Sequence, residues 1–241
     1  MSLNAALTLC GCSNGKGGRN PTGPAFGHVL VAPWAHSSIA SWDDSQHPIA
    51  MRYQPGHKAE IHQKIVKDAS RRVRSNGLSG AAVATVMADT GLTHGGFYKH
   101  FGSKDDLLVE SLGEGFREIA DTLVHAAEQS PPGEGWKAIV RTYLRPEHCE
   151  HPEHGCPLAT LGPELARVDK RMKPQIVAEL VNYKSRMLPF MPGRRTADKD
   201  RAFFAIFSTT IGAIEIARLL PDRKMQERVL ASVRDFLLRS F

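Results

Sequence analysis

The chain has 241 residues, 41% apolar and 23% charged, enough to bury the core of one large domain or two small ones. Its formal net charge of +6 suits a polyanionic partner without requiring one. No run of 18 apolar residues occurs, so no membrane-spanning helix is expected, and four cysteines (Cys10, Cys12, Cys149, Cys156) in this length do not make a disulfide framework.

Residues 1–50 are rich in Gly, Ser, Pro and Asn and show no helical period, so they cannot bury enough surface to fix one conformation. They are expected to be a disordered or mis-assigned extension, with Met51 as the true start. The fragment 11–18 resembles a phosphate loop, but its spacing is one residue short and Gly17 stands where Ser or Thr is needed. With no Lys or Arg before Lys16 and no cleavage pattern, a signal peptide is rejected, and a cytoplasmic, reduced protein is expected.

From His57 onward the pattern is helical. Ile61, Ile65, Val66, Ala69 and Val73 recur at threes and fours and predict an amphipathic helix over 57–75, stopped by Asn76-Gly77. Val83, Val86 and Met87 mark a second helix ending near Asp89. Gly91 supplies a tight turn and Thr93 caps a third helix over 93–100, with Phe97 and Phe101 one turn apart on its inner face. Ser103, followed by Lys104-Asp105-Asp106, reads as the N-cap of a long helix that Pro131-Pro132 ends. Further helices are predicted at 134–145, 157–167, 172–188, 198–219 and 222–239. No strand alternation is present, and the fold class is all-α.

The region 57–101 carries seven Lys/Arg (Lys58, Lys64, Lys67, Arg71, Arg72, Arg74, Lys99) against three carboxylates. Phosphate contacts need such charges together with helix N-termini. Lys104 combines a cation with free backbone N–H groups, and Tyr98 offers a hydroxyl. Gly95 and Gly96 leave the exposed face of the third helix bare, so its backbone can approach base edges, while Thr93, His94 and Lys99 are its polar side chains. The reading is a three-helix helix-turn-helix head, within 51–102, for double-stranded DNA.

The helix-2 stretch Val83–Ala88, then Gly91-Leu92-Thr93, Phe97-Tyr98-x-His100-Phe101 and Ser103-Lys104-Asp105-Asp106-Leu107, resembles the N-terminal domain of the tetracycline-repressor (TetR/AcrR) family of bacterial regulators. The resemblance implies that Thr93, His94, Gly95, Gly96 and their neighbours to Tyr98 face the groove, and that Tyr98 and Lys104 touch phosphates. It implies a further backbone contact at Thr85. Lys99 and His100 complete the candidate set. The Gly95-Gly96 pair departs from the family's usual single Gly.

Residues 103–241 are expected to form a helical ligand-binding and dimerisation domain. His154-Gly155-Cys156-Pro157-Leu158 with Glu164 resembles a stretch found in one branch of the family, and the helix with Gly212, Glu215 and Arg218 resembles its penultimate, dimer-forming helix. Apolar residues cover more than one face of the penultimate helix and give the last helix a stripe as well, which supports a homodimer built on a four-helix bundle. Candidate liners of an effector pocket are Phe116, Trp136, Tyr143, Leu161, Met187 and Phe207. The function expected is a dimeric repressor, released from a palindromic operator by a small molecule, with no cofactor and no catalysis. Three His and two Cys in 148–156 raise an alternative, a thiol- or metal-responsive regulator, although their spacing matches no common zinc pattern. Cys156, just before Pro157 at a helix start, is its redox candidate, because a helix N-terminus lowers a thiol pKa. An enzyme using Cys156 with His154 or His148 lacks an orienting third group.

Overall fold

The computed structural model describes residues 56–81, 83–90 and 94–241. The extension 1–50 with Cys10, Cys12 and the fragment 11–18, the start at Met51, the Gly91 turn and the Thr93 cap lie outside the described residues. Among the described residues ten α-helices follow in order: α1 (His57–Asn76), α2 (Val83–Thr90), α3 (His94–Phe97), α4 (Lys104–Glu128), α5 (Gly135–Tyr143), α6 (Pro146–Glu150), α7 (Pro157–Leu165), α8 (Lys173–Met187), α9 (Thr196–Arg218) and α10 (Arg223–Ser240). Short 3-10 turns occur at Leu78–Ala81, Pro152–His154 and Leu188–Phe190. Among the described residues there is no strand, and no helix is long and apolar enough to cross a membrane.

The ends of these helices follow local chemistry. Gly77, at φ 75°, takes a positive-φ backbone conformation open to glycine and stops α1. The Ser103 hydroxyl accepts the Asp106 N–H at 3.1 Å and opens α4, as expected of an N-cap. The helix expected to run to 145 stops at Tyr143, because Pro146 forces Arg145 into extended backbone (φ −95°, ψ 149°). Pro146 then starts α6, a five-residue helix that the sequence pattern did not show. The third helix is also shorter than expected. Regular α structure ends at Phe97, and residues 98–100 continue as a turn with Lys99 N–H on Gly96 O and His100 N–H on Phe97 O. Two consecutive glycines lower the helical preference of so short a segment by about 1 kcal/mol each.

The long helix α4 organises the packing. Its start joins an N-terminal core of Ile65, Val66, Ala69, Val86, Met87, Phe97, Phe101 and Leu107. Its next turns share a second cluster with Val73, Leu161, Leu165 and Ile176 through Leu108 and Leu112. Its second half, from Phe116 to Ala127, enters the main core of the C-terminal helical bundle with α5, α8, α9 and α10. Glycines permit the close crossings: a Cβ on Gly115 would come within 2.9 Å of Pro157, and one on Gly113 within 2.9 Å of the Glu179 carboxyl.

Candidate nucleic-acid interface

The short helix α3 is anchored by its aromatics. Phe97 and Phe101 are buried and stack with centroids 5.4 Å apart, and His62 of α1 stacks on Phe101 at 4.6 Å. Tyr98 sets its ring edge-on to Phe97 at 5.2 Å yet remains 64% exposed. This places an amphipathic ring on the surface without taking it from the core. Gly95 is exposed, and a Cβ built there would meet nothing within 4 Å. Gly96 is half-buried, and Lys99, Lys104 and Thr85 are exposed. His94 opens α3.

His100 is half-buried beside His62, with centroids 6.0 Å apart. Burial, and then the neighbours His62, Lys58 and Lys99, hold its pKa below the usual value. Lys58, Ile61, Lys99 and His100 line a shallow groove of about 390 Å³ between α1 and the turn after α3. His62 also reaches Glu110 of α4 at 2.6 Å.

One of the seven basic residues does not belong to this surface. Arg74 is fully buried, so it cannot meet a phosphate. Its Nε donates to Ser70 O at 3.1 Å, its Nη1 donates to Gly155 O at 3.0 Å, and its Nη2 pairs with the Glu118 carboxylate. The sequence signal was present: Arg74 continues the i, i+4 row through Val66 and Ser70, both buried.

The C-terminal candidates divide. Phe116, Trp136, Tyr143, Met187 and Phe207 share the main core, whereas Leu161 packs in the cluster beneath α1. Trp136 also edges an open depression of about 600 Å³ beside Pro189–Gly193. Cys156 is the N-cap of α7, as its position before Pro157 predicted. The expected lowering of its thiol pKa is overturned: the side chain is fully buried, and loss of solvent pushes the thiol up. The neighbouring phenols of Tyr143 and Tyr183 are raised by burial as well.

The His/Cys tract does not converge. The backbone N–H of Cys156 donates to His148 Nε2 at 2.9 Å, so Nδ1 carries the proton and donates to Tyr143 O at 2.8 Å. Both nitrogens of His148 are therefore committed, while His151 and His154 are exposed. Among the described residues, no group of three or more His, Cys, Asp or Glu side chains is placed to hold a metal ion. Sequence reasoning also missed the role of Arg218, which donates to Ala159 O at 2.6 Å and His148 O at 2.7 Å. It missed the role of Glu164 as well, whose carboxylate accepts the Leu78 N–H at 2.8 Å.

Residues 65–110 match the family model for bacterial regulatory proteins of the tetR family. No curated protein matches the chain. Among solved structures, the fold is similar to that of a TetR-family transcriptional regulator from Cytophaga hutchinsonii, with TM-score 0.60 and 17% identity, over 75% of this chain and 94% of that one. A TetR regulator from Chloroflexus aurantiacus aligns with TM-score 0.59 and 20% identity over 75% and 96% of the two chains. One from Streptomyces coelicolor gives 0.59 and 20% over 75% and 89%.

Proposed function

The chain belongs to the TetR/AcrR family of transcriptional regulators, non-catalytic DNA-binding proteins, and from that premise we propose that it is a dimeric repressor released from a palindromic operator by a small molecule. In this reading α2 and α3 form the helix-turn-helix, and α3 enters the major groove with Thr93, His94 and Lys99 beside the bare Gly95-Gly96 backbone. Thr85, Tyr98 and Lys104 contact phosphates.

The observation that carries the reading is the surface around α3: an exposed Tyr98 set edge-on to the buried Phe97, with exposed Lys99 next in the chain and exposed Lys104 in the first turn of α4. A lysine in the first turn of a helix opposes the helix dipole, and an anion placed there removes the conflict. A phosphate is that anion in this proposal.

The dimer reading rests on the outer faces of α9 and α10. Phe204, Ser208, Gly212 and Ile216 form one i, i+4 row on α9. Phe204 is 51% and Ile216 55% exposed, and Leu219 beyond them is 83% exposed. Phe236 on α10 is 63% exposed. Two copies of such faces make a four-helix interface, and two heads then address half-sites ~34–36 Å apart. An effector acts by preferring one separation of the heads, which α4 sets through its contacts with both α1 and the C-terminal bundle.

Selection of duplexes from a random library with the full chain tests this. A two-fold symmetric site is expected, and Tyr98→Phe or Lys104→Ala should weaken binding to every sequence by a similar factor. Recovery of no enriched sequence would sink the proposal.

A further inference from the structure

DNA binding and dimerisation leave one feature of the 142–156 segment unused, a cleft of about 330 Å³ beside α4. Ile119 and Thr122 of α4, Thr142, Arg145 and the ring of His148 line it, and the 3-10 turn adds His151 and His154. Glu147 completes the lining, but this carboxylate, like that of Glu150, is directed to Arg223, at 3.9 and 3.0 Å respectively. Arg145 has no ion-pair partner among the described residues. His151 spends Nδ1 on Glu153 at 3.2 Å and keeps Nε2. The Thr122 hydroxyl donates to Glu118 O at 3.1 Å.

An uncommitted guanidinium and two imidazole edges, set beside an isoleucine, suit a small carboxylate with a compact apolar body. The volume holds on the order of ten water-sized groups, the size of a one-ring acid.

We propose that this cleft is the effector site, that it takes a small organic carboxylate on Arg145, and that occupancy is read out through His148 and Gly155. The proposal rests on the effector-responsive reading above and names its site and ligand class.

The readout follows from the bonds. The His148 ring lines the cleft and holds the Cys156 N–H, while the His148 carbonyl accepts Arg218 Nη2 from α9. The next carbonyl upstream of Cys156, that of Gly155, accepts Arg74 from α1. A Cβ on Gly155 would lie 2.7 Å from His148 Cδ2, so the ring and this backbone are in contact. A ligand that shifts the ring shifts the segment gripped by both arginines. One leads to the head and the other to the outer helix α9.

Benzoate is the probe, with benzamide as its neutral counterpart, titrated by calorimetry into the full chain. Saturable benzoate binding is expected, at least tenfold weaker for benzamide and for Arg145→Gln, an exposed position whose change leaves the core intact. No benzoate binding, equal binding of benzamide, or an unchanged Arg145→Gln protein each overturns the site. Saturating benzoate should also change affinity for the selected duplex at least fivefold, and not in Arg145→Gln. Benzoate binding without that change overturns the readout while the site stands. If benzoate binds but no duplex is ever selected, the site is supported and the regulator reading fails.

Discussion

His148 shows how a residue that reads as a metal ligand becomes a structural hinge. In sequence it is one of three histidines in a short tract; in the fold its two nitrogens bridge the Tyr143 carbonyl and the Cys156 amide. Only the neutral ring can do both, and burial accordingly lowers its pKa to about 4 from 6.5. Across that interval the unfolded chain takes up the proton and the folded chain does not. The stability it contributes is therefore full above pH 6.5 and is lost as the pH falls towards 4. Between pH 7 and 5 the loss is about 2 kcal/mol. Denaturant titrations at both pH values should show it, and His148→Gln should show a correspondingly shallower slope. A variant with the wild-type slope would assign the effect to another group. Cys156 gives the same lesson in reverse. Its position at the start of α7 was legible, but the burial that raises its pKa comes from the main core, which α4, α5, α8 and α9 build around it.

Among elements, α3 was legible in its anchors and not in its length. The Phe97–Phe101 spacing placed both rings inward because residues one turn apart share a helix face. The extent of the helix turned on weak propensities that Gly95 and Gly96 decide. Gly95→Ala meets open space and should raise stability by up to about 1 kcal/mol, while covering the bare backbone. Thermal melting checks the first effect. A repeated duplex selection checks the second, for which altered base preference at the positions under α3 is expected. Unaltered preference would move the groove-facing surface elsewhere. The five-residue helix α6 escaped notice because periodicity needs more than one turn to register, and only its proline and extended predecessor marked it.

At the scale of the whole molecule, the outer face of α9 carries the strongest claim. A Cβ on Gly212 meets nothing within 4 Å, so Gly212→Arg should leave the melting temperature of the subunit nearly unchanged and set a long cation on the proposed dimer face. Sedimentation is expected to give a monomer, with duplex affinity reduced at least tenfold because only one half-site is held. An intact dimer would place the interface on another surface. The sequence by itself determined the all-α class, the order of the long helices and the aromatic anchors of α3. Each follows from short-range spacing, caps and breakers, which act within a few residues. Tertiary structure alone decided which charges are available. Arg74 was counted with the phosphate-facing cations, yet it is buried against Glu118 and Gly155, 44 and 81 residues away. Likewise the apolar residues of α9 were divided between core and outer face only once α5, α8 and α10 were packed against it. Burial and partnership are properties of residues distant in sequence, and no local pattern encodes which of them will meet.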